Sequence, residues 1–284
     1  MARTGIVTDT TACVPPNLAA DLGIEVIPVF LMVEDQVFED GAAGVASFYE
    51  TLRTASQRAT TAAPSPGVYA DAILRAAERN ESVLCVTVSR QFSAMYDAAT
   101  QGVQLARAQR PDLEVRVLDS GAAAMAQGFI VLEAARAAKE GADIEEVLRR
   151  ARALMPRVQL IVSLDTLTYL ARSGRVPRLV IWAAGPLQVK PVVVFHRGSY
   201  RPISVSRTTR GAIDRLFQAL ANRTKGLGAL HICVQHTNVP ELAEELAQRV
   251  REAFQPEELI VQEFTQVMGV HTGPGLLGFA FYTE

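Results

Sequence analysis

Cysteine is scarce in this 284-residue chain: Cys13, Cys85 and Cys233 stand far apart and no C-x-x-C occurs. An odd number at such spacing argues against a disulfide framework and a zinc knuckle, and it fits a reducing compartment. Aromatic residues make up only 6% of the chain, which weakens any reading built on stacking nucleic-acid bases. An excess of one charge is missing too. The 28 basic and 30 acidic residues leave a net charge of −2, without the basic field that nucleic acid requires. No apolar run is long enough to span a bilayer, and "MARTGIVTDTT" enters a β-like run directly, without a charged-then-apolar leader. These absences predict a soluble, cytoplasmic protein with no nucleic-acid partner, no metal and no stable membrane insertion, so that any membrane contact is transient.

Apolar residues are plentiful, at 49% of the chain, enough for a sizeable core. Short β-branched runs alternate with Ala-rich helical stretches. "GIVTD" (5–9), "SVLCVTVS" (82–89) and "EVRVLDS" (114–120) read as strands, and "IEVIPVFLMV" (24–33) as an extended run with an edge or bend at Pro28. Helices are predicted over 65–80, with Ser65 as N-cap and Pro66 at the first helical position, and over 93–109, 121–140 and 143–155. Such alternation argues for a parallel sheet covered on both faces. Past Met155-Pro156 the pattern changes. "KPVVVFHRGSYRPISVS" (190–206) reads as a hairpin turning at "HRGS", amid further strands and helices. The expectation is an α/β chain of two domains: a parallel-sheet domain over 1–156 and a mixed-sheet domain over 157–284.

Several familiar signals fail on context. "GPGLLG" (273–278) matches G-x-G-x-x-G, but a strand-like "FAFYTE" follows where a dinucleotide site needs a helix. His231 and Cys233 share one strand face, yet two ligands without a third make a poor zinc site. More informative are hydroxyl-rich stretches following strands: "VTDTT" (7–11), "TTAAPS" (60–65) and "VSRQFS" (88–93). In a parallel sheet such stretches face one crevice, where helix N-termini suit an anion. Taken singly, each is also what ordinary N-capping would produce.

Taken in order, these stretches resemble the DegV family of bacterial fatty-acid-binding proteins along nearly the whole chain. "IVTDTT" resembles the family's T-D-S-S, "TAAPSPG" (61–67) its T-S-x-P-S, and "VSRQFSAMYDAA" (88–99) its S-S-x-L-S-G-T-Y-x-S-A. "VLDS" (117–120), "LDTLTYLARSGRV" (164–176), "LQVKPVV" (187–193) and "GVHTGPG" (269–275) are similar to the family's V-x-D-S, L-x-Y-L-x-x-G-G-R-I, L-x-I-K-P-I and H-x-G-P-G. The resemblance implies a two-domain DegV-like fold with a lipid between the domains. It implies a carboxylate pocket at Thr61, Ser93 and His271, a bound long-chain fatty acid and no other cofactor. It further implies presentation of that acid to a fatty acid kinase subunit, which makes an acyl phosphate, with Arg175 and Arg207 as candidate kinase-facing residues. Surface salt bridging accounts for those two arginines equally well.

The chemistry is coherent. A buried carboxylate needs converging donors, and two hydroxyls and an imidazole supply them. A tail of ~15 methylenes gives on the order of 12 kcal/mol gross on burial, so the head group sets orientation more than total strength. The apolar helix faces over 121–135 and 176–187 are candidates for the tunnel wall, and equally for ordinary core. The chain departs from the family pattern where Ser93-Ala94-Met95 replaces Ser-Gly-Thr, leaving the geometry beside Ser93 open. Two further readings use the same pocket. One is an acyl hydrolase with Ser93 as nucleophile, His271 as base and Asp9 as the obvious orienter, although no nucleophile elbow is present. The other is a sensory or regulatory module.

Overall fold

The computed structural model describes residues 4–33, 36–41, 45–54, 59–175 and 189–284. Along the first of two main sheets the chain runs through β1 (Thr4–Asp9), a 3-10 turn (Thr10–Ala12), α1 (Pro16–Asp21) and β2 (Ile24–Ile27). It continues through β3 (Phe30–Val33), β4 (Gln36–Glu39), α2 (Val45–Thr54), β5 (Thr60–Ala62), α3 (Pro66–Ala77), β6 (Ser82–Thr87), α4 (Met95–Gln109), β7 (Glu114–Asp119), α5 (Met125–Lys139) and α6 (Ile144–Leu154). Then follow β8 (Gln159–Ser163), α7 (Thr168–Ser173), β9 (Lys190–His196), β10 (Ser199–Ser206), α8 (Thr209–Thr224), β11 (Leu230–His236), α9 (Pro240–Phe254), β12 (Glu258–Glu263), α10 (Gln266–Thr272) and β13 (Leu277–Thr283).

The first sheet has the order β2-β1-β6-β7 and is parallel throughout. β1 and β6 are buried along their whole length, as the near-continuous apolar runs of a sheet covered on both faces require. The second sheet has the order β10-β9-β8-β13-β11-β12 and is mixed, with only β11 and β12 parallel. The strand β13 that follows "GPGLLG" therefore removes the helix a dinucleotide fingerprint needs.

α5 joins the two sheets. Twelve of its fifteen residues are buried, and only the charged Glu133, Arg136 and Lys139 are left toward solvent. The Met125 N–H donates to Gln235 Oε1 on β11 at 3.1 Å, and Phe129 meets Tyr282 of β13 edge-on at 5.3 Å. One apolar cluster thus contains Ile6 and Leu84 of the parallel sheet together with Leu160 and Ala280 of the mixed one.

Two local features differ from the sequence expectation. "IEVIPVFLMV" is two strands. Pro28, which has no N–H to give a ladder, separates β2 at the edge of the parallel sheet from β3, which leaves for a small antiparallel sheet of order β4-β3-β5. "GVHTGPG" is not simply a final turn either: its first four residues belong to the short helix α10, which Gly273 ends.

Candidate ligand-binding site

The C-terminal ends of β1, β6 and β7 open on one crevice, as the parallel topology predicts. Thr61, Ser93 and His271, 32 and 178 residues apart in the chain, all line a single cavity there, together with Arg175. Its free volume is about 100 Å³, and the rest of its described wall is mostly apolar, including Val88, Met95, Val162, Phe264, Met268 and Leu276.

α10 carries His271 in its last turn, and the loop after it is held by groups the sequence did not announce. The Val267 N–H at the start of α10 donates to Asp40 Oδ1 at 2.9 Å. Beyond α10, Thr237 is fully buried and is the anchor. Its hydroxyl donates to the Gly273 carbonyl at 2.8 Å and accepts from the Leu276 N–H at 2.9 Å, while its carbonyl accepts from the Gly275 N–H at 2.8 Å. Gly273 has φ 77° and ψ 171°, a region open essentially to glycine alone. A Cβ there would lie 2.2 Å from the Tyr169 ring. The turn residues around His271 thus serve close approach: they bring α10 against α7, the helix that leads to Arg175.

His271 Nε2 lies 3.3 Å from Thr61 Oγ1, and its buried Nδ1 has no hydrogen-bond partner among the described residues. Burial, and then the Arg175 guanidinium, hold the imidazole well below its usual range, at about 4. In the empty site it is therefore neutral near pH 7. Thr61 sits on β5, turned inward while its neighbours Thr60 and Ala62 are exposed, the alternation of a strand.

Ser93 lies in the loop between β6 and α4. It does not cap α4: the N-cap position is Ala94, and no side-chain cap bond forms. Its hydroxyl has no partner among the described residues. Ser65, expected to cap α3, occupies the N-cap position with Pro66 after it but likewise makes no side-chain cap bond. The replacement of the family's Gly-Thr can now be read. Ala94 has φ −81°, so the absent glycine leaves no strain, and Met95 is buried in the cavity wall, where a thioether replaces a hydroxyl.

Arg175 donates through Nη1 to the Ser173 carbonyl at 2.7 Å, and no described carboxylate pairs with it. Burial lowers its pKa from the ordinary arginine value, which leaves it a cation. A partly buried guanidinium with no carboxylate partner among the described residues favours an anion beside it. Arg207 is different: it is exposed just beyond β10 and is not among the described residues lining the cavity.

The arrangement does not assemble a hydrolytic triad. No hydrogen bond joins Ser93 to His271. Asp9 instead accepts the Thr11 N–H at 3.0 Å and the Thr11 hydroxyl, and burial raises its carboxyl to about 6. Thr11, in turn, lines the cavity. Of the two expected tunnel faces, 121–135 contributes Ala123 to this cavity while the body of α5 is core. The face over 176–187 lies outside the described residues. His231 and Cys233 form no metal site: His231 stacks on Tyr282 at 4.5 Å between Glu258 and Glu284, and no metal-binding cluster occurs among the described residues. No helix among the described residues is long and apolar enough to cross a membrane.

Comparison with known proteins agrees with this geometry. Residues 3–284 match the family model described as "Uncharacterised protein, DegV family". A DegV domain-containing protein of Streptomyces coelicolor is 33% identical over 276 residues, covering 96% of both chains. A DegV family protein from Thermus thermophilus, whose structure is described for its fatty acid binding, superposes with a TM-score of 0.90 at 26% identity, covering 99% of this chain and 100% of that one. A Thermotoga maritima protein, whose structure is described as revealing a fatty acid binding function, superposes at 0.87 with 25% identity, covering 100% of both. The parallel and mixed sheets, the cavity and these matches together place the chain in the DegV family.

Proposed function

We propose that this protein binds a long-chain fatty acid, with the carboxylate held by Thr61, Ser93 and His271 and the tail in the apolar cavity behind them. The observation that carries the reading is the Arg175 guanidinium, without a carboxylate partner among the described residues, lining one greasy cavity with three hydrogen-bonding side chains. The Ser93 hydroxyl and the Thr61–His271 pair offer the head group hydrogen bonds, and Arg175 offers the countercharge. A carboxylate arriving there relieves the desolvated guanidinium, which other anions of the wrong shape do less well. It also opposes the effect of Arg175 on His271, so the imidazole becomes easier to protonate in the complex than in the empty site.

The cavity, at about 100 Å³, is smaller than the ~300–1,000 Å³ usual for ligand pockets, so a long chain must widen it. Met95 and Met268, unbranched and adaptable, are the wall residues suited to yield. Nothing in this scheme makes or breaks a covalent bond. The protein acts as a carrier, and presentation of the bound acid to a kinase subunit for acyl-phosphate formation is the role that fits. The exposed Arg207 is then a candidate contact for that subunit.

Native mass spectrometry of protein purified from a bacterial host tests the reading. A mass excess of a few hundred daltons, identified as fatty acid after extraction, is expected for a tail of ~15 methylenes. Delipidated protein should gain thermal stability from palmitate or oleate. About 2.7 kcal/mol is expected at a hundredfold excess over Kd. No gain would contradict the proposal, and stoichiometric labelling of Ser93 by a fluorophosphonate would favour hydrolysis instead.

A further inference from the structure

The cavity ends at a defined wall. Val162 and Leu160, alternate residues on one face of β8, both line it, and Val162 is the one nearer along the chain to α7 and Arg175. The next residue on that face, Val158, lines a second, separate void. The two voids share Phe92, Ala123, Leu160 and Phe195. Between them the Phe92 and Phe195 rings meet edge-to-face with centroids 6.3 Å apart. Phe195 stands directly opposite Leu160 in the β8–β9 register and is backed by Tyr200 at 5.8 Å. The far void, about 10 Å³ free, is walled by small residues, Gly121, Ala122 and Ala126, and by the β9–β10 turn. A partition of two aromatic rings with a further void behind it, in a cavity whose wall elsewhere carries two adaptable methionines, is the rigid boundary of an otherwise yielding cavity.

We propose that Phe92 and Phe195 set the maximum length of the acyl chain this protein accepts: they stop the ω-end of the tail short of the Val158–Ala126 void. This rests on the fatty-acid reading above and assigns the specificity of that site. Removing the Phe195 ring joins the voids. The track from Leu160 to Val158 adds ~6.6 Å at the strand rise, the length of about five further carbons of an extended chain.

The experiment is a thermal-shift series on delipidated protein with saturated acids from ten to twenty-two carbons. The wild-type profile is expected to fall off beyond one chain length. Phe195→Ala moves that fall-off upward by up to about five carbons. Ala126→Leu, which fills only the far void, leaves the wild-type profile unchanged but cancels the gain when combined with Phe195→Ala. If Phe195→Ala does not fold, Phe195→Leu and Ala122→Leu replace the pair, because Leu keeps more of the packing and Ala122 is only partly buried. A Phe195 profile identical to wild type overturns the assignment, as does a wild-type fall-off that Ala126→Leu shortens, since the tail would then already pass the rings. If no acid of any length stabilises the wild type, the fatty-acid reading itself fails and this proposal with it.

Discussion

The two ends of the cavity are built differently. The polar end gathers side chains from four separated segments, namely β5, the β6–α4 loop, the residues just beyond α7 and the last turn of α10; Thr61, Arg175 and His271 are held by hydrogen bonds or a close backbone approach, while the Ser93 hydroxyl has no partner among the described residues. The far end is made by consecutive positions on paired strands, Leu160 against Phe195, with an aromatic ring from the loop laid across them. The first end depends on exact placement of a few polar atoms, and the second on shape. The polar end should therefore respond to single-atom and pH changes irrespective of tail length, and the far end to volume changes that depend on it.

Gly273→Ala should break the polar end most severely. It forces an alanine into a backbone region reserved for glycine and drives its Cβ into the Tyr169 ring. A loss of about 3–5 kcal/mol in urea-melt stability is expected, and a loss under 1 kcal/mol would mean that the loop is not held against α7.

Next comes pH. Burial and Arg175 hold His271 at about 4 in the empty site, below its ordinary 6.5. Its contribution to folding is complete above pH 6.5 and is lost as the pH falls from there toward 4. It amounts to about 3 kcal/mol across that window. His271→Gln should remove this acid-side loss from the urea midpoints of delipidated protein. An unchanged pH profile would show that the imidazole is not desolvated.

Ser93→Ala should weaken binding by about 1–3 kcal/mol, the value of a buried hydrogen bond to a charged group. The loss should be equal for all chain lengths, and a loss that varied with length would mix the two ends. The smallest effect belongs to Arg207→Ala, which lies outside the described cavity. Fatty-acid binding should change by less than ~0.5 kcal/mol, as expected for an exposed residue away from the site. A larger change would place Arg207 in the binding machinery.

The same contrast explains what the sequence made legible. Strand and helix alternation announced both sheets, because β1, β6 and β11 are short runs rich in β-branched and apolar residues, buried throughout, and the helices carry a clear period. The polar end was legible because hydroxyls, histidine and glycine are uncommon in the pattern a core would produce. "TTAAPS", "VSRQFS" and "GVHTGPG" stand out for that reason. Thr237 was not legible: a threonine after a buried strand has no signature, and its four bonds to the α10–β13 loop exist only in three dimensions. The far end was invisible because Leu160 and Phe195 follow the same alternation whether they face a tail or a neighbouring helix. α10 was overlooked because seven residues are too few to display a helical period, and the small β4-β3-β5 sheet because its strands are only three or four residues long.

The most direct test of the central claim is the lipid itself: native mass spectrometry of the purified protein, followed by extraction and identification of whatever leaves with it. The account predicts one fatty acid per chain, displaced or markedly weakened when Ser93 and His271 are both replaced. Protein that emerges empty, and that no added fatty acid stabilises after delipidation, would contradict it.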